Sequence, residues 1–146
     1  MKHFFMISFL LGLPASSIFA HGDEGAGPSR VGPEKGVIHA DEHDGFVLRP
    51  SAEQNFAIKK TALKAGPNWT IPRHALIYSG LETQVFRQRE NHWKSVDVEI
   101  NRKTGKNVEI RSKDLQAGDQ LAVDGIGFLK IIEQSVFGPV ADGHGH

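Results

Sequence analysis

Six of the eight histidines lie towards the two ends of the chain, and five of them, His21, His39, His43, His144 and His146, stand in polar segments, most with Asp or Glu nearby. Imidazole with carboxylate suits a borderline divalent cation, Zn(II), Cu(II), Ni(II) or Co(II), better than Ca(II) or Cu(I). His39 and His43 with Asp41 between them form one donor set, Glu42 and Asp44 adjoining it, and His144 with His146 after Asp142 forms a second. The two methionines, Met1 and Met6, precede both sets and cysteine is absent, so neither set includes a soft sulfur ligand. The competing reading is a pair of polar tails in which histidine is incidental, because tails lack the groups that orient metal ligands. A cut after Ala20 would give His21 a free amine beside its imidazole, a bidentate Cu(II) chelate. A copper oxidase built on it would need a further histidine held by a rigid fold. His74 and His92 read as ordinary surface or strand-end residues of the middle of the chain.

Catalytic signatures are missing from the sequence. No nucleophile elbow, Walker loop or H-E-x-x-H is present, and no carboxylate pair sits in an apolar setting that would split its pKa values. The expectation is a binding protein, not an enzyme, with no required cofactor.

Around these residues the chain divides by composition. Lys2 and His3 precede an apolar run at 4–13, and a break at Pro14-Ala15-Ser16-Ser17 leads to Ala20. This is the pattern of a secretory signal peptide over 1–20, since the run is about half the length of a membrane span. It implies export to a Gram-negative periplasm and no transmembrane segment after cleavage. Without Lys2 the basic side chains are one fewer than the 17 acidic ones, and near neutrality argues against a nucleic-acid partner. Residues 21–44 are rich in Gly, His and acid and read as disordered, and 135–146 as a flexible His-containing tail.

Between them, residues 45–134 read as one small all-β domain of short antiparallel strands. Val96, Val98 and Ile100 alternate with Ser95, Asp97 and Glu99, the period of a strand with one wet face, and Val108 with Ile110 and Leu121 with Val123 repeat it. Turns are expected at Ser79-Gly80, Arg89-Glu90-Asn91, Lys103-Thr104-Gly105-Lys106 and Asp124-Gly125, the last leading into an extended Ile126 to Ile132. One helical turn capped by Ser51 is expected after Pro50, and no longer amphipathic helix is expected anywhere. The predicted core is Phe46, Leu48, Phe56, Ile58, Leu76, Val85, Phe86, Val96, Val98, Val108, Ile110, Leu121, Val123 and Phe128, with Trp69 and Trp93 partly buried beside it.

Two stretches resemble the periplasmic adaptors, or membrane-fusion proteins, of heavy-metal RND efflux systems. Ile71-Pro72-Arg73-His74-Ala75-Leu76 is similar to the family's "IP..AL" entry into its membrane-proximal domain, and Val85-Phe86 to the start of its "VFV" strand. Val108-Glu109-Ile110 with Leu115-Gln116-Ala117-Gly118-Asp119-Gln120-Leu121-Ala122-Val123-Asp124-Gly125 resembles "VEI..GL..GD.VV..G". Residues 47–61 resemble the segment with which such adaptors begin. Only residues 62–70 separate the two stretches, too few for the lipoyl-like domain, helical hairpin and β-barrel of full-length adaptors. The resemblance implies an isolated membrane-proximal domain whose partner is the inner-membrane RND pump or its full-length adaptor. The alternative is a free periplasmic metal-binding or chaperone protein that uses its His-rich ends, and a degenerate remnant is a further reading.

Overall fold

The computed structural model describes residues 30–138. The expected signal peptide and His21, His144 and His146 lie outside these residues. In chain order the elements are β1 (Val37–Asp41), β2 (Gly45–Leu48), α1 (Pro50–Asn55), β3 (Lys59–Ala62), β4 (Trp69–Pro72), a 3-10 turn (Arg73–Ala75), β5 (Ile77–Ser79), β6 (Glu82–Arg89), β7 (His92–Asp97), β8 (Glu99–Thr104), β9 (Asn107–Arg111), β10 (Gln120–Asp124) and α2 (Ile126–Phe137). The class is the expected one, mostly antiparallel β. A large sheet runs β1-β2-β7-β6-β10-β3, with β5 also paired to β6, and a small sheet runs β4-β9-β8.

β6 is the centre of the large sheet, and its side chains alternate between two covered sides. Val85 points into a core with Val96 and Leu121 of the large sheet and Trp69, Ile71, Val108 and Ile110 of the small sheet. Phe86 points the other way, into a core with Phe46, Leu48, Trp93, Ala122 and Leu129, where α2 lies. The layers are therefore helix, large sheet and small sheet, and each face of β6 has its own apolar cluster. The small sheet covers only part of its side: on that face of β6, Arg87 and Arg89 follow Val85, and β7 sets Lys94 and His92 opposite them.

Residues Val96, Val98 and Ile100, expected as one strand, are divided between the two sheets. β7 ends at Asp97 and β8 begins at Glu99, while the Val98 N–H bonds the Thr83 carbonyl at 2.9 Å. The alternation persists through the crossing, so all three side chains still reach the same core. Glu90 and Asn91, at φ 49° and 66°, make the tight two-residue turn between β6 and β7.

Four expectations are corrected. Part of the segment read as disordered over 21–44 is regular: Val37–Asp41 forms β1, held by antiparallel pairing to β2. Residues 126–132, read as extended, begin the twelve-residue helix α2, which continues to Phe137 into the expected tail. Leu129 is its fully buried residue, with Ile126, Ile132, Val136 and Phe137 packed partly against the same core, a spacing of three and four that belongs to a helix. Phe128 accordingly leaves the predicted core: it is 48 % exposed and stacks on Phe56 at 4.9 Å between ring centroids. Phe56, Ile58 and Val123 are half-buried. The cap of α1 is the extended Arg49 and not Ser51, with no side-chain cap bond, because Pro50 occupies the first helical positions and a residue before proline is driven out of the helical region.

Gly45 is required where it stands. Its φ is +102°, and a Cβ there would lie 2.1 Å from the Trp93 carbonyl oxygen, so any side chain would push β2 off β7.

Candidate functional site

Three of the six expected metal-site residues are described, and all lie at the β1–β2 hairpin. Asp41, His43 and the neighbouring Asp44 have ligand atoms within 4.8 Å of one another, all exposed. Local geometry accounts for much of this convergence. The Asp41 carboxylate accepts the backbone N–H of His43 at 2.8 Å and of Asp44 at 3.0 Å, so it closes the turn. Those two N–H groups hold the Asp41 carboxyl below its ordinary value. His43 Nδ1 donates to Asp44 Oδ1 at 2.7 Å, leaving Nε2 open.

His39 does not join that cluster. Its ring meets His92 edge-on at 5.9 Å between centroids, across β2. The contact follows from register, because His39 is paired with Val47 and Val47 with His92, and all three side chains share one face. His92 donates Nδ1–H to the Glu90 carbonyl at 2.9 Å, a bond that leaves Nε2 as the free nitrogen. His74 donates Nε2–H to the Val123 carbonyl at 2.8 Å, tying the 3-10 turn to β10.

The same face carries a polar groove of about 640 Å³ floored by β6 and β7 and walled by the hairpin and by Lys113, Asp114 and Gln116 of the β9–β10 loop. Two arginines of β6 enter it and are treated differently. Arg89 grips Asp119 with both ends of its guanidinium edge, Nε to Oδ1 and Nη2 to Oδ2, each at 2.8 Å. Asp119 is buried, and burial alone would raise its pKa; the Arg89 bonds and the Gln116 N–H at 2.9 Å outweigh that and hold it below the ordinary carboxylate value. Arg89 is raised in turn, chiefly by its bond to Asp119.

Arg87, two residues earlier on the same face, has no such partner: its Nε is buried without a hydrogen bond among the described residues. Burial, with Arg89 adjacent, lowers its pKa from the usual arginine value. Its cross-strand neighbour is another cation, Lys94, whose ammonium turns to the His43 carbonyl. The sequence marks Gln116 and Asp119 only as part of a family-like stretch, since nothing in an isolated Val-Phe-Arg-Gln-Arg strand says which arginine meets an acid.

On the opposite side of the same strands is a second polar cluster. Glu53 of α1 accepts Trp93 Nε1–H and Gln88 Nε2–H through one oxygen, each at 2.7 Å, and Lys60 Nζ through the other at 2.9 Å. Lys60 also reaches Gln88 Oε1 at 2.9 Å and lies 5.7 Å from the Trp93 ring centroid. Every partner in this set is satisfied internally, so it fastens α1 and β3 to the sheet.

In the stretch with the most specific resemblance, each distinctive residue has a structural task. Gly118 takes φ +90° and bonds the Leu63 carbonyl, Asp119 receives Arg89, and Gly125 at φ +74° passes within contact of Ile58 and the Phe56 carbonyl. Among the described residues no helix is long and apolar enough to cross a membrane. No family model, no curated protein and no solved structure matches the chain.

Proposed function

We propose that the chain is a periplasmic adaptor-like accessory protein of a heavy-metal RND efflux system, a binding module that docks on the pump or on its full-length adaptor. The supporting observation is how the two family-like stretches come together. Residues 47–61 supply the end of β2, α1 and most of β3, and residues 71–132 supply β6, β7 and β10; β2 pairs with β7 and β3 with β10 in one sheet. The membrane-proximal domain of full-length adaptors is likewise assembled from the two ends of the chain, and here nine residues replace everything between them. A module of this kind touches the pump and does not reach an outer-membrane channel. The test is capture with the tagged chain from membranes expressing a heavy-metal RND pump and its adaptor. Recovery of either supports the proposal, and recovery of neither refutes it.

A second reading, free metal binding, is favoured by the convergence of Asp41, His43 and Asp44. It predicts calorimetric binding of Zn(II), Cu(II), Ni(II) or Co(II) without a protein partner, weakening between about pH 7 and 5 as protons compete for imidazole. Replacing His39, His43, His144 and His146 together by Ala removes that binding if the reading holds. Unchanged binding in the variant overturns it.

A further inference from the structure

We propose that Arg87, with Lys94 beside it, is a recognition site for a carboxylate brought by a ligand into the groove on the open face of the large sheet. Three independent observations carry it. A buried Nε–H without an acceptor is uncommon in a folded protein, and it calls for a partner. Arg87 has Arg89 two residues along on the same face and Lys94, bonded to the His43 carbonyl, at the paired position of β7, so cations gather at this part of the groove. Arg87 and Lys94 line an open groove of about 640 Å³, room for several residues of an extended peptide.

Arg89 shows what chemistry the site takes. From the same face of the same strand, it holds Asp119 through Nε and Nη2, the planar fork-to-fork geometry of guanidinium with carboxylate. Arg87 carries the same guanidinium edge, and its buried Nε has no acceptor among the described residues. The other charges of the groove narrow the choice further. Asp44, Glu90, Asp97 and Asp114 also line it, with Arg89, Lys113, His43 and His92 as the further basic groups. A multiply charged phosphate would be repelled by these carboxylates, whereas a single carboxylate fits between Arg87 and Lys94.

A carboxylate can arrive on a glutamate or aspartate of a peptide or as a small free acid, and the two are separable. In the full chain labelled with ¹⁵N, the Arg87 Nε–H resonance is followed during titration with acetate and, separately, with a blocked peptide Gly-Glu-Gly and its Gln counterpart. The expected result is a saturable shift of the Arg87 resonance with Gly-Glu-Gly and none with the Gln peptide. Binding of the peptide about ten-fold tighter than acetate assigns the site to a protein segment, and equal affinity assigns it to a free acid. In Arg87→Gln the affinity falls about ten-fold or more, and Lys94→Gln gives a smaller loss. The proposal is overturned if the Arg87 resonance stays still up to saturating carboxylate, or if the Gln peptide shifts it equally. It is also overturned if a folded Arg87→Gln protein binds as the parent does.

Discussion

Gln88 and Arg87 are neighbours in the chain, and because a strand alternates they serve opposite sides of the large sheet. On the helical side, Gln88 joins Glu53, Lys60 and Trp93 in a set whose members satisfy one another. On the other side, Arg87 lines an open groove and its Nε has no acceptor among the described residues. The first side is closed by α1, so any polar group there must find its partner inside the protein. The second is left open because the small sheet covers only its Val85 and Val96 end. Polar residues on the covered side hold the fold together, whereas on the open side Arg89 is matched by Asp119 and the Arg87 Nε has no acceptor among the described residues.

The contrast is easiest to break through Glu53. Glu53→Ala strands the Trp93 and Gln88 N–H groups in the interior, at about 1–3 kcal/mol for each unsatisfied donor, and a loss of about 3 kcal/mol is expected in urea unfolding. Glu53→Gln, which keeps an acceptor, should lose about half as much. A loss below about 1 kcal/mol for the Ala variant would mean that the set is not a fastening.

Asp119→Asn tests the one arginine of the groove that is already matched. Breaking a fully buried ion pair costs about 3–5 kcal/mol. Here Asp119 is 1 % exposed but Arg89 is 34 % exposed, so solvent screening reduces the expected loss to about 2 kcal/mol. The same pair sets an acid dependence. The folded-state pKa of Asp119 lies below its unfolded value, so its contribution is complete above the unfolded pKa of about 4 and disappears as pH falls through the lower folded value. Melting curves of parent and Asp119→Asn, compared from neutral pH down to about 2, should therefore converge at the acid end. A gap that stays constant with pH would contradict the ionic origin.

The smallest effect is expected for Arg87→Gln. Removing a cation that faces another cation should change stability by no more than about 0.5 kcal/mol, in either direction. A loss above about 2 kcal/mol would make Arg87 a fold-holding residue and erase the difference between the two sides.

Much of this organisation was legible in the alternation of apolar residues. Val96, Val108, Ile110 and Leu121 are assigned to the core by their alternation, and all are buried. The helix α2 was missed because Ile126, Phe128, Ile131 and Ile132 crowd together as in a buried strand, and only the positions of Leu129, Ile132 and Val136 against the sheet reveal the helical face. The strand β1 is hidden in the sequence because it runs into the polar stretch 39–44 and only Val37 of it is buried; pairing with β2 supplies the order. Of the expected metal ligands among the described residues, the hairpin gathers Asp41 and His43 but sends His39 towards His92.

What the sequence determined by itself was local: which residues alternate, where glycines and polar pairs reverse the chain, and hence that the domain is built of short antiparallel strands. Those outcomes depend on neighbours a few residues apart. The tertiary structure alone decided which polar groups meet, because Arg89 finds Asp119 across 30 residues and Trp93 finds Glu53 across 40. It also decided that Arg87 faces the groove with no acceptor on its Nε among the described residues, since a one-residue change of register would turn it to the other side of the sheet.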